Sequence, residues 1–175
     1  MIRAARRHEI PLLPQIENAA DQRYRRAGLD LVVDMPPHSL ASLEAGRRGG
    51  LLWVATSPRN RVVGFVLMEI KGGTAWIDQL SVLDRWQGRG FGAALIDRSA
   101  AAARAQGHHA LYLTTYRGVP WNEPFYRRRG FVEMRRGDLL PSLRRVLLTE
   151  ISHGHPSWRR AIMTRDIQDT RLQPS

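Results

Sequence analysis

With 175 residues and no cysteine, the chain is long enough to bury one core without covalent staples, and it excludes disulfides, thiolate metal sites and a cysteine nucleophile. Its formal charge of +11 comes from 27 basic against 16 acidic residues, nearly all of the former arginine, with Lys71 the only lysine. The arginines fall in scattered triplets (Arg3, Arg6, Arg7; Arg23, Arg25, Arg26; Arg127 to Arg129) with no interleaved aromatic platform, which favours a solvated basic surface that attracts small anions over a nucleic-acid module.

Ile2 to Ala4 reads as a short first strand. Leu13, Ile16, Ala20 and Tyr24 are spaced for a helix over Ile10 to Arg26, which Gly28 ends. An irregular stretch through Met35, Pro36 and Pro37 precedes a second helix, Ser39 to Ala45, stopped by Gly46 and Gly49. Leu51 to Thr56 and Val62 to Ile70 are rich in strand formers and joined by the turn composition Ser57, Pro58, Arg59, Asn60. Gly72, Gly73 and Thr74 make the next turn, and Ala75 to Val82 the next strand, so the sheet is antiparallel here.

A helix from Phe91 to Gln106, with Leu95, Ile96 and Ala102 inward, stops at Gly107. A fifth strand, Ala110 to Thr115, should run parallel to its predecessor. The short helix Glu123 to Arg129 tolerates Pro124 in its first turn, and Gly130 closes it. Phe131 to Met134 starts a sixth strand, Leu139 to Ile151 an amphipathic helix, and Arg160 to Ile167 a last strand. The expectation is a single domain over 1–168, with 169–175 a polar tail.

The chemistry concentrates between the strand Ala75 to Val82 and the helix after it. Gly88, Gly90 and Gly92 alternate with Arg89 and Phe91, so main-chain N–H groups entering the helix can converge on an anion without Cβ obstruction. The helix dipole adds roughly 0.3 to 1 kcal/mol for a nearby negative charge. A Walker loop is excluded because Ala93 and Ala94 stand where Lys and Ser or Thr are needed. A dinucleotide fingerprint is matched only literally by Gly88, Gly90 and Ala93, since the following strand ends in Thr114 and Thr115 with no carboxylate.

Gln87, Gly90 and Gly92 resemble the (Q/R)xxGx(G/A) acetyl-CoA signature of the GNAT acetyltransferase family. The segment Leu80, Ser81, Val82 ahead of Gln87 and the stretch WNEPFYRRRGF from Trp121 to Phe131 extend the likeness, and the element order fits nearly the whole chain. The resemblance implies an α/β fold of the α+β type: a mixed, mostly antiparallel sheet of six to seven strands, splayed between the fourth and fifth and flanked by helices. It implies acetyl-CoA as cosubstrate and no metal, with Leu80, Ser81 and Val82 receiving the pantetheine and Gln87, Gly88, Arg89, Gly90, Phe91, Gly92 and Ala93 holding the diphosphate.

The same resemblance assigns chemistry to side chains. Tyr126, four residues before Gly130, would be the general acid, because a phenol of pKa near 10 suits a thiolate leaving group. Asp78 would be the base, desolvated by Trp76, Ile77 and Leu80. Asn122 resembles a CoA-contacting Asn, but stands closer to Tyr126 than the family pattern has it. Tyr24, Tyr116 and Trp121 are candidates to line an acceptor pocket by cation–π contact. Relatives that acetylate ribosomal proteins carry a Glu at the place of Thr114, whose absence argues against that substrate class.

The expectation is therefore an N-acetyltransferase acting on a primary amine, most simply of a small molecule, by direct attack in a ternary complex. A protein N-terminal or lysine acetyltransferase, and a non-catalytic acyl-CoA sensor, are the alternatives. A homodimer is possible, with Leu139 to Ile151 able to supply a contact. No apolar run reaches the roughly 18 residues of a membrane span, and MIRAARRHEIPLL has no adequate signal core, so a cytoplasmic location without a membrane partner is expected. Of the six histidines, His108 with His109 and His153 with His155 make no recognisable ligand set, and no metal site is expected.

Overall fold

A computed structural model of the chain describes residues 1–168; the expected tail, 169–175, lies outside the described residues. Seven strands, β1 (Ile2–Ala4), β2 (Leu52–Thr56), β3 (Val62–Lys71), β4 (Thr74–Val82), β5 (Ala110–Tyr116), β6 (Val132–Glu133) and β7 (Arg160–Asp166), form a sheet in the order β1-β2-β3-β4-β5-β7-β6. The β1–β2, β2–β3, β5–β7 and β6–β7 pairings are antiparallel. The helices are α1 (Leu13–Asp21), α2 (Asp30–Asp34), α3 (Leu40–Arg48), α4 (Phe91–Ala105), α5 (Glu123–Arg127) and α6 (Pro141–Ser152). The described residues fall into two compact units, Met1–Glu69 with Ile77–Ser99, and Ile70–Trp76 with 100–168.

In the first unit β1 and β2 pair from Ile2↔Ala55 to Ala4↔Trp53, and β2 and β3 from Leu52↔Leu67 to Ala55↔Gly64. Every residue of β2 is buried, which is why its sequence is a continuous apolar run rather than an alternation. Leu13 and Ile16 of α1 and Leu43 of α3 join Leu52, Val54, Phe65 and Leu67 in one core cluster. Full burial of each such side chain contributes about 1.5 to 3 kcal/mol. Ser39 caps α3, its hydroxyl accepting from Ser42 N at 3.1 Å.

The expected helix Ile10 to Arg26 is helical throughout, but only Leu13–Asp21 is α; Arg7–Leu12 and Gln22–Ala27 wind as tighter 3-10 turns. Pro11 and Pro14 remove two amides that would bond backward, so an α-helix cannot start earlier. The stretch expected to be irregular contains the single turn α2. Gly46 does not stop α3; it lies inside it, where a Cβ would run into the Leu67 side chain, and Gly49 is the cap. On α4 the buried positions are Leu95, Ile96, Ser99, Ala100 and Ala103, which corrects the inward assignment of Ala102 by one residue.

In the second unit β5 and β7 pair antiparallel along their whole length, from Ala110↔Asp166 to Tyr116↔Arg160, and Val132↔Thr164 docks β6 on the far side of β7. The expected strand Phe131 to Met134 is reduced to two residues, with Phe131 buried and Met134 N donating to Ile162 O at 2.9 Å. Trp76, Leu139, Leu143, Leu147 and Ile162 form this unit's core, so the amphipathic reading of α6 holds, with Pro141 at its first turn.

Candidate active site

After Val82 the chain is tied to β3 by Leu83 N donating to Val63 O (2.9 Å), then makes a 3-10 turn over Asp84–Trp86. Gln87 holds that turn in shape. Its Nε2 donates to Val82 O (2.8 Å) and Asp84 Oδ1 (3.0 Å), and its Oε1 accepts from Arg23 Nη1 (2.8 Å). The Gln of the signature thus spends its side chain on the protein itself, fixing the loop that follows.

That loop carries Gly88 at φ +71 and Gly90 at φ +83. A Cβ on either would meet nothing within 4 Å, so backbone conformation, and not crowding, requires glycine. Ala94 N donates to Gly90 O (3.0 Å), closing the first turn of α4. The N–H groups of Phe91, Gly92 and Ala93 come before that bond and lack an intrahelical acceptor. Beside them Arg89 Cζ lies 5.1 Å over the Trp86 ring, and Trp86 meets Phe91 edge-on at 5.8 Å. Trp86 Nε1 is buried with no partner. Open space above positive-φ glycines, with donors aimed out of a helix start, is a cradle that a diphosphate would fill.

The strand leading into the cradle is held from behind. A Cβ at Gly64 of β3 would stand 2.6 Å from Ser81 O, so only glycine lets β3 approach the Leu80 to Val82 segment so closely. Ser81 is 2% exposed, its hydroxyl accepting from Gln79 Nε2 (2.9 Å), while Leu80 is half-buried.

Four residues before Val82, Asp78 is bound to a residue that sequence reasoning missed. Its Oδ2 lies 2.8 Å from His38 Nε2, and the other ring nitrogen, Nδ1, lies 2.9 Å from Glu17 Oε1 on α1. His38 N also donates to Glu17 Oε2 (3.2 Å). Two carboxylates hold the imidazole protonated, pushing its pKa up to about 10 against the opposing effect of burial. One turn beyond Glu17, burial and the Glu17 charge raise Asp21 to about 7, opposed by Arg23 and His38. Glu17 left a trace in the sequence, a carboxylate on the apolar face of α1 beside Leu13, Ile16 and Ala20. His38, between α2 and α3, left none. Tyr24 lies in the 3-10 turn after α1, with Arg23 Cζ 5.8 Å from its ring centre.

In the second unit Tyr126 is half-buried on α5. Phe125 and Phe131 meet its ring at 5.3 and 5.9 Å, and its carbonyl accepts from Phe131 N (3.1 Å) as Gly130 (φ +81) reverses the chain. Asn122, 5% exposed, is the N-cap residue of α5 and accepts from Tyr126 N (3.0 Å). Trp121 just before it is half-buried. Tyr116 is not an open aromatic platform. It is 3% exposed, its hydroxyl bonds His155 Nδ1, and Arg160 Cζ covers its ring at 4.3 Å. Burial and the Arg160 charge lower the His155 pKa.

The β5 position that lacks a glutamate is met by one from elsewhere. Thr114 Oγ1 donates to Glu150 Oε1 (2.6 Å) and accepts from Arg160 Nη2 (2.6 Å), while Arg160 Nε donates to Glu150 Oε2 (2.8 Å). A carboxylate from α6 therefore reaches the Thr114 hydroxyl. Among the described residues, no group of three or more His, Asp or Glu is gathered as a metal ion would need, and no helix is long and apolar enough to cross a membrane.

Comparison with known proteins bears on this arrangement. Residues 48–133, which include β2 to β5 and the cradle, match a family model described as an acetyltransferase (GNAT) domain. The fold is similar to a GNAT-family acetyltransferase from Staphylococcus aureus Mu50, at 17% identity over 96% of this chain and 99% of that one, with a TM-score of 0.72. It is similar also to a Mycobacterium tuberculosis protein solved in complex with CoA (18% identity, 95% of this chain and 98% of that one, TM-score 0.70). A third is the ribosomal-protein-S18-alanine N-acetyltransferase of Escherichia coli (16%, 100% and 98%, TM-score 0.64). At such identities the likeness is one of fold.

Proposed function

This chain belongs to the GNAT acetyltransferase family, and from that premise we propose that it moves an acetyl group from acetyl-CoA to a primary amine of a small molecule, in a ternary complex. The observation that carries the reading is the cradle: positive-φ Gly88 and Gly90, open space above both, and the amides of Phe91, Gly92 and Ala93, which precede the first intrahelical bond of a 15-residue helix. The donor set fits the diphosphate of CoA, with Arg89 adding charge and Leu80, Ser81 and Val82 offering backbone groups to the pantetheine. Asn122 is assigned to the same cosubstrate. When bound, acetyl-CoA supplies an activated acyl group; the protein supplies placement and proton handling.

Asp78 takes the surplus proton of the acceptor amine, leaving a neutral nitrogen to form the bond to the acyl carbon. As the C–S bond breaks, Tyr126 Oη gives a proton to the departing sulfur, and the proton that the acylated nitrogen sheds restores the phenol. With no cysteine in the chain, a thiol-linked acyl-enzyme is impossible. Tyr24 and Trp121 are assigned to the acceptor side; Tyr116, buried with its ring covered by Arg160, is not.

One observation favours a second reading, a protein α-amine as acceptor. The carboxylate whose absence from β5 argued against that class is present at Thr114 by way of Glu150. Thiol release from acetyl-CoA over a panel containing a polyamine, an amino acid, an aminoglycoside and an N-terminal peptide decides the matter. The expected result is turnover with a small amine. Turnover confined to the peptide selects the second reading, and CoA binding without turnover on any acceptor would reduce the protein to a sensor.

A further inference from the structure

We infer that His38 is a positioning residue for acetyl transfer: anchored by Glu17, it grips Asp78 through Nε2 and holds that carboxylate ionised and aimed. The inference rests on the reading of Asp78 as the base. Three separate elements meet here: α1 through Glu17, the 35–39 segment ahead of α3 through His38, and β4 through Asp78. All three side chains are largely withdrawn from water, with side-chain exposures of 8% for Glu17, 23% for His38 and 19% for Asp78.

An isolated carboxylate at that depth would gain a proton and lose its use as a base. Bonded to an imidazolium it keeps its charge, and the bond also fixes its rotation. Glu17 completes the device by holding the opposite ring nitrogen at 2.9 Å and the His38 backbone amide at 3.2 Å, so the ring cannot turn away. The charged groups facing the imidazole are Glu17 and Asp21 from α1 and Asp78 from β4, and Asp21 in turn faces Arg23 from the turn after α1. Arg23 also donates to Gln87 Oε1 at the cradle loop.

A pair of amide variants separates positioning from simple structure, because each preserves one of the two ring bonds. In His38→Gln the side-chain amide can replace Nε2 toward Asp78; in His38→Asn it can replace Nδ1 toward Glu17. With the fastest acceptor of the amine panel, His38→Gln is expected to keep kcat within about threefold. His38→Asn is expected to lose about tenfold or more in kcat with little change in KM for acetyl-CoA, as a misplaced catalytic group does. Asp78→Asn, measured alongside, is expected to lose about 10²-fold or more.

Equal activity of the two His38 variants, or the opposite order, with Asp78→Asn inactive, overturns the inference alone. Full activity of Asp78→Asn overturns the base reading and the inference with it. An acceptor-independent check is the imidazole titration followed by NMR. His38, identified by its loss in His38→Gln, should stay doubly protonated at pH 8 and titrate lower in both Asp78→Asn and Glu17→Gln. Titration near 6.5 in the unaltered protein, unmoved by either substitution, would contradict it.

Discussion

Gly90 and Gly88 adopt backbone conformations that an L side chain enters only at a cost of about 1 to 2 kcal/mol. Because there is open space where their Cβ atoms would lie, substitution there acts on the loop's shape and not on packing. Gly90→Ala should therefore lower the thermal midpoint by only the few degrees that this strain costs and weaken CoA binding about tenfold, measured by calorimetry. Tyr126→Phe removes one hydroxyl from a ring that Phe125 and Phe131 hold in place, so it should lower kcat far more than it weakens CoA binding. Equal losses in both would count against the acid role. At this scale the sequence speaks to what is local. Gln87, the glycines, Asp78 and Tyr126 sit within short spans whose spacing is itself the signal. His38 and Glu150 were illegible because their meaning lies in partners 40 and 36 residues away along the chain.

Between elements, Gly64 and the Thr114 cluster are the two sensitive joints. A methyl group at Gly64 cannot coexist with Ser81 O at 2.6 Å, so Gly64→Ala should push β4 away from β3, costing about 1 to 3 kcal/mol. Because the displaced residues are those leading into the cradle, CoA affinity should fall too, which a denaturation curve and a binding titration together would show. Arg160 is buried and bound to Glu150 and Thr114; Glu150→Ala leaves its charge without its carboxylate and should cost of order 3 kcal/mol. Adding Arg160→Met should recover part of that loss. The strands were legible because β-rich runs and turn residues alternate clearly, whereas helix ends were not. Pro11 and Pro14 converted the start of the first helix into a 3-10 turn, and Gly46 proved to be a packing contact inside α3 where its composition suggested a stop.

For the whole molecule, titration sets a pH dependence whose sign is fixed. His38 stands at about 10 when folded against an ordinary 6.5, so its contribution to stability is full below about pH 6.5 and is lost as pH rises through 10. Asp21, at about 7 against 3.8, has the same sign in a lower window, full below 3.8 and gone above 7. The thermal midpoint should therefore fall from pH 6 to pH 10, and His38→Gln should flatten the part of the slope above pH 7. The net charge of +11 predicts attraction to anions without choosing among them. Acetyl-CoA should raise the melting temperature, while tRNA and duplex DNA at equal phosphate concentration should not. The most direct test of the account is calorimetric titration of CoA and of pantetheine, which lacks the diphosphate, into the unaltered protein and Gly90→Val. CoA should bind far more tightly than pantetheine to the former, and the substitution should abolish most of that difference. A CoA affinity equal to that of pantetheine, or one that Gly90→Val leaves intact, would contradict the claim that bare amides at the start of α4 grip the diphosphate.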